Sequence, residues 1–204
     1  MASGHDADAM TATYLHFWGK ARPASADGPR WHPNAYHALD VAAAAQAVLE
    51  RGVSRPPAPW DGQDHVAAIA ALIGLHDLGK FSRPFQAKAP DHWPPHLGRI
   101  SGHVDPGHGA VGLSLLTGAL GDLIAPLLPG WSGAERAMLL GAVCGHHGRP
   151  VTTHEVLSRD IVCGQCVEAA RGFTIALLDV LRPAPLPVLT HDPDPSLIWW
   201  LAGL

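Results

Sequence analysis

Alternating Val/Ile/Thr runs are missing from this sequence, so a sheet protein is not expected; Ala- and Leu-rich stretches take their place. Cysteine is scarce. Cys144, Cys163 and Cys166 make an odd count with no disulfide spacing, which excludes a disulfide framework and fits reduced thiols. No stretch of about 18 apolar residues offers a membrane span. The opening MASGHDADAM lacks the charged start and apolar run of a secretory leader. These absences lead to the expectation of a soluble, cytoplasmic protein with no membrane partner. Charge is sparse too: Asp, Glu, Lys and Arg make up 16% of the chain and the net charge is -4, where an average chain carries about 25% charged residues. A broad surface for duplex nucleic acid needs many Lys and Arg to neutralise phosphates, so this composition argues against one. A narrow site in which metal ions supply the positive charge is still compatible with it.

What the chain has in excess is histidine, 14 in 204 residues. Histidine is the commonest metal ligand and the usual acid or base near neutral pH, so the excess directs attention to a metal site. The length suits one domain, residues 1–204. Helical signals recur along it. Tyr36 to Arg51 (YHALDVAAAAQAVLER) reads as a helix, with Pro33 before it and Gly52 as its stop. Asp61 to about Leu78 reads as a second, with Asp61 or Asp64 as its cap and Val66, Ile69, Leu72 and Ile73 at helical spacing. A Pro/Gly/His-rich loop spans about Ala89 to Gly107, followed by a helix from His108 to about Leu120. Ser132 and Glu135 form a capping-box pattern at the start of a fourth helix that ends at His146-His147-Gly148. A fifth is expected from about His154 to Leu181, ended by Pro183, Pro185 and Pro187, and PSLIWWLAGL (Pro195 to Leu204) reads as the opening of a sixth. The fold class expected is all-α.

The sharpest chemical signal is His76-Asp77, in LIGLHDLGKF. The apolar run before it puts the pair at the inner end of a buried helix, with a nitrogen and an oxygen ligand on adjacent residues. A carboxylate there can bridge two metal ions. His146-His147, in GAVCGHHGRP, also follows an apolar helical run; two buried imidazoles would each need a hydrogen-bond partner, which makes packing a poor explanation. His37 stands at the start of the first long helix, and His108 at another helix start, where the following apolar pattern favours it over the nearby loop residue His103. Singly, each reads equally well as a cap or a surface histidine. Together they fall at helix ends, which a bundle can direct into one cavity. Six nitrogen and oxygen ligands exceed one tetrahedral site and suggest two metal ions. Mixed His/carboxylate ligation suits Fe, Mn, Co, Ni or Zn better than Ca.

This ordered set, His37, His76-Asp77, His108 and His146-His147, resembles the HD superfamily of metal-dependent phosphohydrolases and, more narrowly, the HD nuclease of the CRISPR-associated Cas3 proteins. HDLGKFSRPFQ (His76 to Gln86) is similar to that family's HD-x-G-K-F segment, GHHGRP (Gly145 to Pro150) to its paired histidines, and WGK (Trp18 to Lys20) with HPNAYHALDVA (His32 to Ala42) to its opening. The resemblance implies an HD-domain helical bundle and two divalent transition metal ions (Fe, Mn, Co or Ni, with Mg or Zn as further options). One would be held by His37, His76 and Asp77. The second would be held by Asp77, His108, His146 and His147, with Asp77 bridging and acting in catalysis. Lys80 would sit near the scissile phosphate, where an ammonium offsets developing charge. The implied reaction is hydrolysis of single-stranded DNA in CRISPR interference, with a helicase domain in cis or trans and an RNA-guided surveillance complex as partners. No G-x-x-x-x-G-K-[ST] loop is present, so the helicase is expected downstream or on another chain.

The family also carries a late Asp just after a segment like WWLAGL (Trp199 to Leu204); the expectation is a chain cut before its last helix, with Asp160, Asp179, Asp192 and Asp194 as substitutes out of context. Two other functions follow if that matters: an HD phosphohydrolase of nucleotides, or a recruitment module with an incomplete site. Cys163-Gly164-Gln165-Cys166 reads as small buried helix residues. Of the seven tryptophans, Trp93 in its Pro/His loop is the better candidate for stacking on single-stranded bases, an ordinary loop or packing role being the commoner alternative, and Trp199 and Trp200 read as packing residues.

Overall fold

The computed structural model describes residues 13–22, 27–100, 104–145, 148–152, 158–188 and 200. His103, the pair His146-His147, His154, Asp192, Asp194 and all of the 195–204 segment except Trp200 lie outside the described residues. Seven helices and one short hairpin are described: β1 (Trp18–Ala21), β2 (Trp31–Pro33), α1 (Asn34–Glu50), α2 (Val66–Gly74), α3 (Arg83–Gln86), α4 (His108–Thr117), α5 (Gly121–Ile124), α6 (Gly133–Cys144) and α7 (Gly164–Leu181). The expected helical bundle is therefore found. No single helix among the described residues is long and apolar enough to cross a membrane.

The centre of the bundle is α2. Val66 and the run from Ala68 to Gly74 are all buried, the pattern of a helix surrounded by others. It packs beside α1 and against α7. A Cβ at Gly74 would lie 3.1 Å from both Ala42 Cβ and a Leu177 methyl, so the absent side chain lets the three helices converge. α1 presents Ala35, Ala38, Ala42, Ala45 and Leu49 to the core at alternating spacings of three and four. Pro33 precedes it with a φ of -55°, suited to entering a helix, and the chain leaves it at Gly52 (φ +66°). Phe17, Trp60, Phe81 and Phe173 are fully buried around these helices, each contributing about 1.5–3 kcal/mol or more by removal from water.

Several boundaries differ from the sequence expectation. The second helix does not run from Asp61 to Leu78: it starts at Val66 after a 3-10 turn (Gln63–His65), and neither Asp61 nor Asp64 caps it. It stops at Gly74, and Leu75 to Asp77 form a turn that tightens into a second 3-10 turn, Leu78–Lys80. The fifth helix begins at Gly164, not His154. Cys163 takes the cap position and its Sγ accepts from the Cys166 N–H, while Ser158 to Val162 form a turn of their own. The loop from Ala89 to Gly107 contains 3-10 turns at Pro90–His92 and Pro95–Leu97.

The all-α expectation needs one amendment, the hairpin. β1 and β2 pair antiparallel, with Lys20 opposite His32 and Ala21 opposite Trp31. These strands are three and four residues long, too short to show an alternating pattern, and tertiary contacts hold them. The buried Gln86 side chain accepts from the Trp18 backbone N–H (3.1 Å) and donates to the carbonyls of Trp18 and Lys80 (both 2.9 Å), while the Gln86 main-chain carbonyl accepts from the Trp18 indole (3.2 Å). The Ser132/Glu135 capping box is present in both directions, and Trp200 packs on the core with its indole donating to Ser54 Oγ at 2.9 Å.

α4 lies directly on the 78–80 turn. A Cβ on Gly79 would stand 1.8 Å from the His108 carbonyl oxygen and 2.6 Å from the Gly112 nitrogen. Main chain meets main chain there, so no side chain can move aside. Gly79→Ala is expected to cost at least about 3 kcal/mol, the upper end of overpacking penalties, read as a fall in urea midpoint. A variant as stable as the parent would show that this contact is looser than described.

Candidate metal centre

Asp77 is 2% exposed and leaves α2 through the tight turn that ends it. Its carboxylate collects ligands and cations from four segments. Oδ2 lies 3.2 Å from His37 Nε2, 3.1 Å from His76 Nε2 and 2.5 Å from Lys80 Nζ. Oδ1 lies 3.4 Å from His108 Nε2. His37 comes from the first turn of α1, His76 from the turn that follows α2, Lys80 from the 3-10 turn and His108 from the first residue of α4. The sequence-derived residues His37, His76, Asp77, Lys80 and His108 are thus brought together, and His146 and His147 lie outside the described residues. Cys144 and Gly145, which lead towards that pair, end α6 against the start of α4: a Cβ on Gly109 would sit 2.9 Å from the Cys144 carbonyl. Asp160 and Asp179 are exposed and take no part in the cluster.

His37, His76 and Asp77 each offer one ligand atom, and those atoms lie within 4.8 Å of one another. The ring of His76 shows how the set is prepared. Its Nδ1 is 2.8 Å from the Ile73 carbonyl oxygen, an acceptor, so Nδ1 carries a proton and a neutral ring leaves Nε2 with a lone pair. Nε2 faces Asp77 Oδ2, donating to it when the ring is protonated and offering it a lone pair when the ring is neutral. Two electron-rich atoms at 3.1 Å require a cation or a proton between them. A backbone carbonyl fixing the far nitrogen is the usual support for a metal-ligating histidine. The donor set therefore fits a divalent metal ion.

Burial alone would raise the Asp77 pKa, but hydrogen bonds from His37 and His76, with the charges of His76 and Lys80, outweigh it and hold the carboxyl far below the usual carboxylate range. Behind it, the Cys144 thiol is pushed up to about 12 by burial and by the Asp77 charge. Lys80 does not reach outwards: its ammonium is buried, bonded to Asp77 and to the Gly19 carbonyl (3.1 Å), and lies 5.3 Å from the Phe85 ring centre.

Sequence reasoning missed the groups that orient these ligands. Asn34 is fully buried and its amide donates to the Asp77 backbone carbonyl at 3.2 Å. Gln86 and the Gly19 carbonyl fix Lys80, and Phe85 meets His108 edge to face at 5.6 Å. Asn34 and Gln86 are visible in the sequence as polar residues near the proposed ligands His37 and Lys80, but nothing local says that they are buried.

Comparison with known proteins gives a consistent picture. Residues 18–204 match the family model described as Cas3, HD domain. The chain is 31% identical, over 228 aligned positions, to the CRISPR-associated endonuclease/helicase Cas3 of Escherichia coli (strain K12), covering 92% of this chain and 24% of that protein. It also resembles the crystal structure of the Thermus thermophilus Cas3 HD domain in the presence of Ni2+, with 27% identity, a TM-score of 0.60, and coverage of 95% of this chain and 74% of that one. A chain in a pre-nicking CRISPR RNA-guided surveillance complex shares the fold at 24% identity and a TM-score of 0.66, over 92% of this chain and 22% of that one. The chain spans about a quarter of the length of the Escherichia coli relative.

The Asp77 environment has a pH signature. A depressed folded-state pKa adds stability that is present above the unfolded value, about 3.9, and is lost as pH falls below it. Metal-free protein should therefore lose, relative to Asp77→Asn, about 1.4 kcal/mol per pH unit below about pH 3.9. Urea denaturation of both chains from pH 6 to pH 3 measures this, and a stability difference that stays constant over that range would contradict the assignment.

Proposed function

The chain belongs to the Cas3 HD-domain family, and from that premise together with the His37/His76/Asp77 cluster we propose that it is a metal-dependent phosphodiesterase that cleaves single-stranded DNA. The observation that carries the proposal is the convergence of His37, His76 and Asp77, whose ligand atoms all lie within 4.8 Å of one another.

In this reading His37, His76 and Asp77 hold one metal ion, and Asp77 with His108, His146 and His147 holds a second. The two Asp77 oxygens facing different partners, Oδ2 towards His37 and His76 and Oδ1 towards His108, support a bridging role. Fe, Mn, Co and Ni are the preferred ions, with Mg and Zn as alternatives. Such ions supply Lewis-acid activation of water and of the phosphate. The protein's part is to keep the ligands rigid. Asn34 fixes the Asp77 main chain, Ile73 fixes the His76 tautomer, and Lys80 keeps the carboxylate ionised while adding positive charge beside the place where a phosphate would sit. The low charge of the chain suits a delivered strand, and we assign delivery to a helicase in cis or trans, recruited by an RNA-guided surveillance complex in the cytoplasm.

The test is cleavage of a labelled single-stranded oligonucleotide, against a panel of nucleotides, with Mn, Fe, Co, Ni and Mg each added to metal-free protein. Wild-type chain is expected to cut DNA with at least one transition metal, near two metal equivalents bound, and Asp77→Asn or His76→Ala to lower the rate by at least about 100-fold while circular dichroism stays unchanged. Turnover of nucleotides with the DNA left intact would overturn the nuclease assignment in favour of a nucleotide phosphohydrolase.

A further inference from the structure

Cys163 and Cys166 take no part in the metal cluster, and packing does not explain how they meet. Cys163 is the N-cap of α7 and Cys166 stands three residues on. The Cys163 sulfur accepts from the Cys166 backbone N–H at 3.3 Å and lies 2.7 Å from the Cys166 sulfur. The arrangement repeats in thiols the Ser132/Glu135 box that opens α6: the cap side chain bonds the main chain three residues on, and the side chain of that residue turns back towards the cap residue. A cap needs only an acceptor, and Ser, Thr, Asp or Asn offers a stronger one than sulfur does. Two sulfurs in contact have what a capping oxygen lacks, a second oxidation state.

The two cysteines are unequal. Cys166 is fully buried, whereas Cys163 keeps 9% of its surface. Gly164 and Gln165 beside Cys163 are exposed, as are Ser158, Arg159 and Asp160 in the turn before it. A small molecule arriving from solvent therefore meets Cys163 first. Arg83 is tied to the same turn, its backbone N–H donating to the Ile161 carbonyl at 3.1 Å. One terminal nitrogen of its guanidinium donates to the Leu97 carbonyl at 2.5 Å, and its Nε is buried with no hydrogen-bond partner. The hydrogen bond from Cys166 and the Arg83 charge draw the Cys163 thiol down to about 6 against its burial, while the bond to Cys163 and burial push the Cys166 thiol up. A thiolate at a helix start with a buried thiol behind it is the division of roles that thiol–disulfide exchange requires, one sulfur to attack and one to displace.

Two other uses of the pair fit less well. Among the described residues no group of three metal-ligating side chains includes a cysteine, and a structural zinc needs four ligands. A bond between residues three apart closes no long loop, so it adds little as a structural staple.

We propose that Cys163 and Cys166 form a redox-active dithiol that exchanges with small disulfides. The Cys163 thiolate attacks one sulfur of R–S–S–R; a Cys163–S–S–R bond forms and R–S⁻ leaves. Cys166 then gives its proton to solvent and its sulfur attacks that of Cys163, forming the Cys163–Cys166 disulfide and releasing the second R–S⁻. Both R–S⁻ groups take up protons from solvent. The protein pair loses two electrons and the small disulfide gains them. The two sulfurs need only close from 2.7 Å to about 2.0 Å, a movement confined to the first turn of α7. Nothing in this chemistry depends on the nuclease reading.

The test equilibrates the full chain, reduced and freed of metal with EDTA, in mixtures of glutathione and glutathione disulfide. Samples are quenched with N-ethylmaleimide under denaturing conditions, digested with trypsin and read by mass spectrometry. Cys163 and Cys166 share the tryptic peptide 160–171, and Arg159 separates it from Cys144. As glutathione disulfide rises, the 160–171 peptide of wild-type protein is expected to pass from a doubly blocked form to an unblocked form lighter by two hydrogens, and to return on adding dithiothreitol, while Cys144 stays blocked. Cys166→Ser should hold a glutathione adduct on Cys163, and Cys163→Ser, which keeps a capping oxygen, should form neither species. Iodoacetamide at pH 7 should label Cys163 of the folded chain at least about 10-fold faster than Cys144. A wild-type pair that stays reduced in glutathione disulfide alone, a glutathione adduct that persists on wild-type Cys163, or disulfides that draw in Cys144 equally would overturn the proposal. So would a pair in freshly purified protein that N-ethylmaleimide reaches only after EDTA, the mark of a bound metal ion.

Discussion

A carboxylate buried to 2% exposure, with three imidazoles and an ammonium turned towards it, is the constraint around which this molecule is arranged. An isolated charge in that position would be strongly disfavoured. The fold offsets the cost by making four segments end at the same point: α1 begins there, α2 stops there, the 78–80 turn curls round it and α4 starts against that turn. Each of these ends is also where a helix has unsatisfied main-chain groups, and some serve the site directly, as when the Ile73 carbonyl accepts from His76 and the Asp77 carbonyl from Asn34 and Lys80.

Much of this could be read from the chain before folding. The helical bundle follows from Ala- and Leu-rich periodicity, and the ligands stood out because histidines and an aspartate recur where apolar helical runs end. His108 was singled out by its place at a helix start and Lys80 by the family resemblance, and both lie against Asp77. The helix stop at Gly74 was not legible, because Leu75 continues the apolar run and the reason for the break lies in Ala42 and Leu177, far off in sequence. The hairpin was hidden for a related reason. Its strands carry no alternation, and the bonds that hold them come from Gln86, 68 residues from Trp18. The extended start assigned to α7 failed because Cys163 supplies a cap through its sulfur, a role that small buried helix residues do not announce.

That cap has its own chemistry. Cys163 Sγ accepts from the Cys166 backbone N–H at 3.3 Å and lies 2.7 Å from the Cys166 sulfur. Hydrogen bonding from Cys166, at the positive end of α7, lowers the Cys163 thiol pKa despite its burial, to about 6. Cys144 goes the other way because it is fully buried and lies near the Asp77 charge. Two thiols of one small domain thus differ in reactivity because one stands at a helix start and the other beside a buried anion.

The contact between Gly79 and His108 carries a last consequence. The 78–80 turn meets the start of α4 through main chain alone, so the backbone spacing between Asp77 and His108 is held by peptide contact and the rotamers only place the ligand atoms within it. Any side chain added at position 79 would therefore push the start of α4, and His108 with it, away from the turn that carries Asp77.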